Sequence, residues 1–295
     1  MKKEPLILGL LAGLLLVSIV LSAVTSSDRF ALSSSSGSGV AVLNVTGPIS
    51  AQSGGFSNPG LDEFVEQLYD IERNKQVKAL VLRIDSPGGT VGASQELYRE
   101  ILKFKKRTKM PVIASIADVG ASGAYWVALA GDRIYANPGS LVGSIGVIVK
   151  SLDLSEVYKR YGIGMTVFKS VPYKDMLSGW RDVSSRESSV VYGMLANIQA
   201  QFEAAVVEGR RLSPAQAHRL ADGRVFTGDQ AKQKNLIDSI GGFRDAIAYA
   251  AKKAGIKGKP RLLVQEKPPF FELMNGIIGS AVSFHMDANP LLLAR

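Results

Sequence analysis

Short apolar runs alternate with amphipathic segments through the first half of the chain. A nearly continuous apolar run is typical of a strand that is buried on both faces. Apolar residues at every third or fourth position are instead typical of a helix that packs on one side. The predicted strands are 40–46, 77–84, 111–117, 133–139 and 142–149, and the predicted helices are 61–74, a segment that ends near 107, and 124–130. This alternation predicts an α/β domain built on a parallel sheet that is buried on both faces.

The second half of the chain is more helical. Helix 154–161 and strand 165–168 are predicted before a polar stretch, and Ser184 with Glu187 then fits a capping box, which is typical of a helix N-terminus. The long helix that follows ends near Glu208, and its predicted buried face is Val190, Val191, Met194, Leu195, Ile198, Phe202 and Val206. Later helices are predicted after Ser213-Pro214, where a cap precedes a proline, and over 229–235 and 243–254.

The N-terminal region contains a long apolar run, Leu6 to Val24, which Lys2 and Lys3 precede. This run matches the roughly 20 residues of a membrane span, whereas the core of a signal peptide has about 7–15. No clear Ala-x-Ala cleavage site follows, so we interpret the run as an uncleaved signal anchor; a cleaved signal peptide is the alternative. The two lysines before the run predict a cytoplasmic N-terminus and an exported body.

These features divide the chain into segments with different expected roles. The predicted segments are a cytoplasmic N-terminus (1–4), a transmembrane signal anchor (5–25), a Ser/Gly linker (26–39), a folded catalytic domain (40–258) and a C-terminal tail (259–295). The tail has an apolar, partly helical pattern. It is compatible with a loosely ordered terminus, a membrane-surface segment, a cover for a neighbouring subunit or an occupant of a substrate groove.

Composition narrows the chemistry that the chain can perform. The 295 residues include no cysteine, which excludes disulfides, thiolate metal sites and cysteine nucleophiles. The two histidines, His218 and His285, lie in a short Arg-flanked helical stretch and in the tail, so neither resembles a positioned base, and a His-rich metal site is excluded. The formal charge of +9 comes from scattered basic residues, which argues against nucleic-acid binding. We expect no metal and no cofactor.

Ser122 is the candidate nucleophile. It follows an apolar strand and precedes a helix-like segment, so it lies at a strand-to-helix turn among small residues. Helix N-termini leave backbone N–H groups unpaired, and acyl transfer needs such donors for the oxyanion that forms. We therefore predict an oxyanion hole made by the N–H groups of Gly89 and Gly123. The alternatives are that Ser122 only caps the helix and that the Gly-rich stretch is an ordinary turn.

The general base is less well determined by the residues alone. Because histidine is scarce, the base is expected to be a lysine or a carboxylate. A lysine base must be neutral near the working pH, which burial or a cationic neighbour can arrange. Lys150, Lys169 and Lys174 are the candidates, and composition does not choose among them.

Five motifs in order resemble the signal peptide peptidase A family of serine peptidases. The resemblance covers roughly residues 40–254 and rests on 85–89 (Asp-Ser-Pro-Gly-Gly), 120–125 (Gly-Ala-Ser-Gly-Ala-Tyr), 143–147 (Gly-Ser-Ile-Gly-Val), 173–176 (Tyr-Lys-Asp-Met) and 221–228 (Ala-Asp-Gly-Arg-Val-Phe-Thr-Gly). It implies a fold similar to that of Clp protease and the crotonases. It also implies Ser122 as nucleophile, Lys174 as general base, and Gly89 and Gly123 as oxyanion donors.

The same resemblance implies the biological setting. Short members of this family assemble into ring-like or dome-like homo-oligomers in which the Ser of one subunit is completed by the Lys of its neighbour. The expected protein is a single-pass cell-membrane endopeptidase, with its catalytic domain on the extracytoplasmic side, that degrades signal-peptide remnants or other apolar peptides. The alternatives are a related peptidase that clips a stomatin-type scaffold protein and, from another class, a crotonase-like acyl-CoA enzyme.

Overall fold

The structure, a computed structural model, describes residues 38–52 and 59–264. The predicted signal anchor (5–25), nearly all of the linker and most of the C-terminal tail lie outside these ranges. The strands are β1 Gly39–Thr46, β2 Val77–Ser86, β3 Val112–Ala121, β4 Arg133–Ala136, β5 Leu141–Gly143, β6 Val225–Thr227, β7 Ser239–Ile240 and β8 Arg261–Val264. The helices are α1 Leu61–Arg73, α2 Val91–Thr108, α3 Gly123–Ala128, α4 Ser155–Arg160, α5 Ser185–Arg210, α6 Pro214–Leu220, α7 Gly228–Gln233 and α8 Phe243–Lys253.

The strands form one sheet, which is parallel except at one edge. Its order is β6-β5-β3-β2-β1-β8, and β4 pairs with both β3 and β7. Only the β5–β6 pair is antiparallel among the described strands. Mixed α/β architecture around a mainly parallel sheet is therefore confirmed, and it fits a domain of the Clp protease and crotonase type. Strand β8 lies within the segment that the sequence assigns to the tail.

Helices cover both faces of the sheet, as the apolar strands predict. On one face, α1 buries Phe64 and Leu68, and α2 buries Leu97, Ile101 and Phe104. On the other face, α8 packs Ala246, Ile247 and Ala250 against β-strand side chains such as Val40, Val81 and Ile113. Because the central strands are buried on both sides, they hold the loops at their carboxyl ends in fixed positions.

The ends of β2 and β3 converge where the site is expected. Their register shifts between Ile84 and Ser86, and Ser86 is then paired with Gly120. The Asp85 carboxylate accepts a hydrogen bond from the Val119 N–H at 3.1 Å, which stabilises this irregular end. The Ser86–Gly89 turn and the Ser122 turn consequently leave the sheet side by side.

Three sequence predictions are wrong between residues 142 and 206. Strand 142–149 is reduced to β5, which ends at Gly143, and 165–168 forms no strand. The side chains of Met165 and Phe168 are 53% and 95% exposed, because no element of the described chain packs over them. The first half of α5 also leaves its predicted buried face uncovered: Val190 is 37% exposed and Met194 is 44% exposed, whereas Phe202 and Val206 are buried.

Candidate active site

Ser122 has an unusual backbone conformation. Its φ of 53° and ψ of −126° lie outside the regions that non-glycine residues ordinarily adopt. The conformation is held from both sides, because the Ser122 N–H donates to the Gly143 carbonyl at 2.7 Å and the Ser122 carbonyl accepts from the Trp126 N–H at 3.0 Å. Strained backbone of this kind clusters at functional sites, and a sharp strand–Ser–helix turn presents the hydroxyl at the top of the sheet.

The Ser122 hydroxyl does not cap helix α3. Ser122 occupies the N-cap position, yet its side chain makes no capping hydrogen bond. The described residues provide no other hydrogen-bond partner for its Oγ. The structure therefore argues against the interpretation of Ser122 as a simple helix cap and leaves a partly exposed, unpaired hydroxyl at this turn.

The glycine turn after β2 packs directly against Ser122 and Gly123. A Cβ on Gly88, which has a φ of 103°, would lie 2.9 Å from the Ser122 Cβ and 2.8 Å from the Gly123 nitrogen. A Cβ on Gly123 would lie 3.3 Å from the Gly89 nitrogen. Only glycines allow this approach. The structure thus brings together three of the residues that the sequence predicts: Ser122, Gly89 and Gly123.

The N–H groups of Gly89 and Gly123 are available as donors. Neither has an acceptor among the described residues: Gly123 is the first residue of α3, where intrahelical acceptors are absent. The neighbouring amides are engaged, since the Gly88 N–H donates to Ser86 Oγ at 3.2 Å and the Thr90 N–H donates to the Ile49 carbonyl at 2.9 Å. These bonds leave Gly89 as the free amide of the turn.

Buried contacts fix helix α3 beneath the site. The Tyr125 hydroxyl donates to the Leu236 carbonyl at 2.6 Å, and burial raises the pKa of this phenol. The Trp126 ring stacks on Phe202 of α5 with centroids 4.3 Å apart and planes 12° from parallel. Ser122 therefore precedes a helix that is held on two sides by the core.

Lys174 lies in a segment that we call the arm (147–183). The hydrogen bonds and ion pairs described for the arm run within residues 147–187, and none joins it to Ser122. Lys174 is exposed in a turn, and its ammonium group has no partner among the described residues. The structure places the nucleophile beside the oxyanion donors but does not hydrogen-bond Lys174 to Ser122.

The other candidate bases are placed as follows. The Lys169 ammonium makes an ion pair with Asp175 at 2.7 Å. Lys150 lines an open arm cavity of about 410 Å³ with Leu152, Leu154 and Trp180. His218 is exposed, and its Nδ1 lies 3.1 Å from a Glu203 carboxylate oxygen. Within 38–52 and 59–264, no group of His, Cys, Asp or Glu side chains is arranged to hold a metal ion.

A four-residue ionic cluster next to Lys174 was missed by sequence reasoning. It consists of Lys169, Asp175, Arg181 and Glu187. The Arg181 guanidinium, followed by Lys169, holds the pKa of the Asp175 carboxyl well below its usual range. Arg181, together with hydrogen bonds from Ser184, lowers the pKa of Glu187 to about 2. Asp175, Arg181 and Glu187 are six positions apart, a spacing that does not make residues neighbours in a helix, so the sequence carried no signal for this cluster.

Comparisons with known proteins agree with this geometry. The profile of peptidase family S49 matches residues 104–257, just over half of the chain. A candidate protease of Synechocystis sp. is 36% identical over 74% of this chain and 75% of that protein. The chloroplastic serine protease SPPA of Arabidopsis thaliana is 34% identical over 86% of this chain but only 38% of that protein. A candidate signal peptide peptidase SppA of Enterococcus faecium is 29% identical over 83% of this chain and 79% of that protein.

These matches favour a peptidase over an acyl-CoA enzyme. The matched region contains Ser122 and extends through the arm to α8. The strained serine turn, the two free amides beside it and the matched profile converge on one assignment: the chain belongs to peptidase family S49, the signal peptide peptidase A family of serine peptidases.

Proposed function

We propose that this protein is a membrane-anchored serine endopeptidase that uses a Ser122–Lys174 dyad to hydrolyse apolar peptides, such as signal-peptide remnants, at the membrane. The observation that carries the proposal is the unpaired Ser122 hydroxyl on a strained turn, directly beside two unpaired glycine amides. A hydroxyl nucleophile and preorganised N–H donors are the parts that acyl transfer requires.

In the proposed mechanism, neutral Lys174 accepts the proton of Ser122 while Oγ forms a bond to the peptide carbonyl carbon. The N–H groups of Gly89 and Gly123 stabilise the oxyanion of the tetrahedral intermediate. The ammonium of Lys174 then protonates the leaving amine as the C–N bond breaks. Water, deprotonated by Lys174, hydrolyses the Ser122 ester and regenerates the hydroxyl.

We further propose that Lys174 comes from a second copy of the chain in a ring-like homo-oligomer. Among the described residues, most of the exposed large apolar side chains lie between 148 and 194, and Ile148, Leu152 and Phe168 are each more than 70% exposed. Contiguous exposed apolar surface is typical of a protein interface. Because these exposed side chains lie in the same stretch of the chain as Lys174, a second copy is the occupant that would both cover them and complete the dyad.

The membrane anchor is proposed from the sequence. In the described ranges no helix has both the length and the apolar character needed to cross a bilayer, and the anchor at 5–25 lies outside them. An anchored catalytic domain on the extracytoplasmic side would hold Ser122 near peptides that leave the membrane.

Labelling with a serine-reactive fluorophosphonate tests the nucleophile. We expect the wild-type protein to be labelled once, with the adduct mapped to Ser122, and Ser122→Ala to be unlabelled. Ser144→Ala is the matched control, because Ser144 also has a positive φ (49°) and lies at the end of the neighbouring strand. An adduct elsewhere, or undiminished labelling of Ser122→Ala, would overturn the proposal.

The pH dependence tests the base. A lysine acts as a base only in its neutral form, and the neutral fraction grows as pH rises. We therefore expect kcat/KM for a fluorogenic apolar peptide to increase steadily from neutral toward alkaline pH. A maximum at mildly acidic pH would rule out a lysine base and favour a carboxylate. Circular dichroism over the same range separates loss of fold from loss of the neutral base.

A further inference from the structure

Lys174 lies in a turn that has little burial to hold it. The turn is closed by backbone hydrogen bonds from Lys174 to Val171 at 3.4 Å, from Met176 to Tyr173 at 3.1 Å and from Ser178 to Asp175 at 3.1 Å. Tyr173 and Lys174 are both exposed. Segments with few buried contacts open locally at low cost, so the position of the base requires another constraint.

Arg181 supplies that constraint through two forked ion pairs. Its Nε and Nη2 donate to the Asp175 carboxylate at 3.0 and 2.8 Å, and its Nη2 and Nη1 donate to the Glu187 carboxylate at 2.6 and 3.0 Å. The side chains of Asp175 and Glu187 are only 8% and 5% exposed. A planar guanidinium can bridge two carboxylates in this way, whereas a lysine ammonium cannot.

The bridge connects the turn to the long helix α5. Glu187 is the third residue of α5, and its carboxylate also accepts from the Ser184 N–H at 2.9 Å and from the Ser184 hydroxyl at 2.7 Å. Near its other end, α5 contributes Phe202, which stacks on Trp126 of the helix that follows Ser122. Within one chain, contacts thus connect the residue next to Lys174, through α5, to helix α3.

We propose that Arg181 is a positioning residue for the general base: it fixes the Lys174 turn on α5 and so sets where the base is presented. The proposal rests on the proposed function of Lys174. The ionic cluster lies where the apolar neighbours are themselves exposed: Val183 is 43% and Val190 is 37% exposed. It also adds no net charge beside Lys174, because two cations balance two carboxylates.

The test compares Arg181→Gln with Arg107→Gln in the full-length protein. Arg107 is the matched control because it makes a forked pair with Glu72 at 2.9 and 2.7 Å, is similarly exposed (39% against 33%), and joins α1 to α2 away from the arm. We expect Arg181→Gln to lower kcat by about 10- to 100-fold with KM within about twofold. Arg107→Gln should leave both unchanged. Arg181→Lys, which lacks the fork, should recover only part of the loss.

A double-mutant cycle separates positioning from general structure. If Arg181 acts through Lys174, Arg181→Gln should not lower the residual fluorophosphonate labelling rate of Lys174→Ala any further. Three results would each overturn the inference. They are a lower labelling rate in the double variant than in Lys174→Ala, an unchanged kcat in Arg181→Gln, and loss of assembly of Arg181→Gln in sedimentation experiments. Full activity of Lys174→Ala would instead overturn the proposed function itself, so the two failures are distinguishable.

Discussion

A 1:1 mixture of Ser122→Ala and Lys174→Ala subunits is expected to recover peptidase activity that neither variant has alone. Ser122→Ala removes the nucleophile and should reduce hydrolysis to background. Lys174→Ala removes general-base assistance and should lower kcat/KM by roughly 10²- to 10⁴-fold. If each site takes Ser122 from one chain and Lys174 from the next, random exchange around a ring gives both residues to about a quarter of the sites.

The control for this mixture is the double variant Ser122→Ala/Lys174→Ala. Mixed with either single variant, it cannot form a complete dyad in any arrangement, so activity should stay at the level of the single variants. Differently tagged subunits, recovered together by affinity capture, verify that exchange has occurred. Mixed oligomers that remain inactive would show that the dyad forms within one chain, with the arm bringing Lys174 to Ser122 of the same chain.

The placement of the two site turns at the edge of the sheet was predictable from local chain signals. Apolar strands followed by Gly-rich turns place Gly89 and Ser122 at carboxyl ends of strands, and parallel pairing of β2 with β3 makes those ends neighbours. The positive φ of Ser122 could not be predicted from the sequence, because serine has no preference for that conformation. It is held by hydrogen bonds to Gly143, in a third strand, and to Trp126 in the following helix.

The errors have a common physical origin in the arm and the first half of α5. An apolar pattern indicates that side chains are buried, but it does not identify the chain that buries them. Phe168 and Met194 follow patterns typical of buried elements and are nevertheless exposed in the single chain. The short strands β7 and β8 were missed for the opposite reason, since they exist through pairing with β4 and β1 rather than through a strong local pattern.

The ionic cluster around Arg181 was predictable only in part. The capping box at Ser184 and Glu187 is confirmed, and the sequence alone predicted it. The second role of Glu187, as a partner of Arg181, depends on the fold of a turn that has no regular secondary structure. Ion pairs in such segments follow from how the turn itself folds, so the sequence could not give their partners or their geometry.

Gly89→Ala is expected to be the most damaging change to the site outside the dyad. A Cβ at this position would lie 2.6 Å from the Ile49 nitrogen and closer still to the Ile49 carbonyl oxygen, which are backbone atoms and cannot rotate away. Ile49 is bridged to this same turn through the Gly88 carbonyl and the Thr90 N–H, at 2.8 and 2.9 Å. The turn must therefore shift as a unit, and the Gly89 N–H with it.

The expected consequence is a loss of about 10²- to 10³-fold in kcat, the usual effect of removing one oxyanion donor. Steric overpacking should also lower the free energy of unfolding by about 1–3 kcal/mol. Gly92→Ala is the matched control, because Gly92 lies three residues later, in the first turn of α2, with nothing within 4 Å of its added Cβ. That variant should keep full activity and gain about 0.5–1 kcal/mol of stability.

The comparison of Gly89→Ala with Gly92→Ala tests whether the turn has a catalytic role. Steady-state kinetics below the melting temperature of Gly89→Ala separate the two effects, because a protein that is folded but slow has lost transition-state stabilisation and not its structure. Labelling of Ser122 should slow in parallel, since the phosphonyl oxygen occupies the same hole as the oxyanion. If Gly89→Ala were destabilised yet kept the wild-type kcat, the Gly89 amide would be a structural element of the turn, and Gly123 would have to stabilise the oxyanion with another donor.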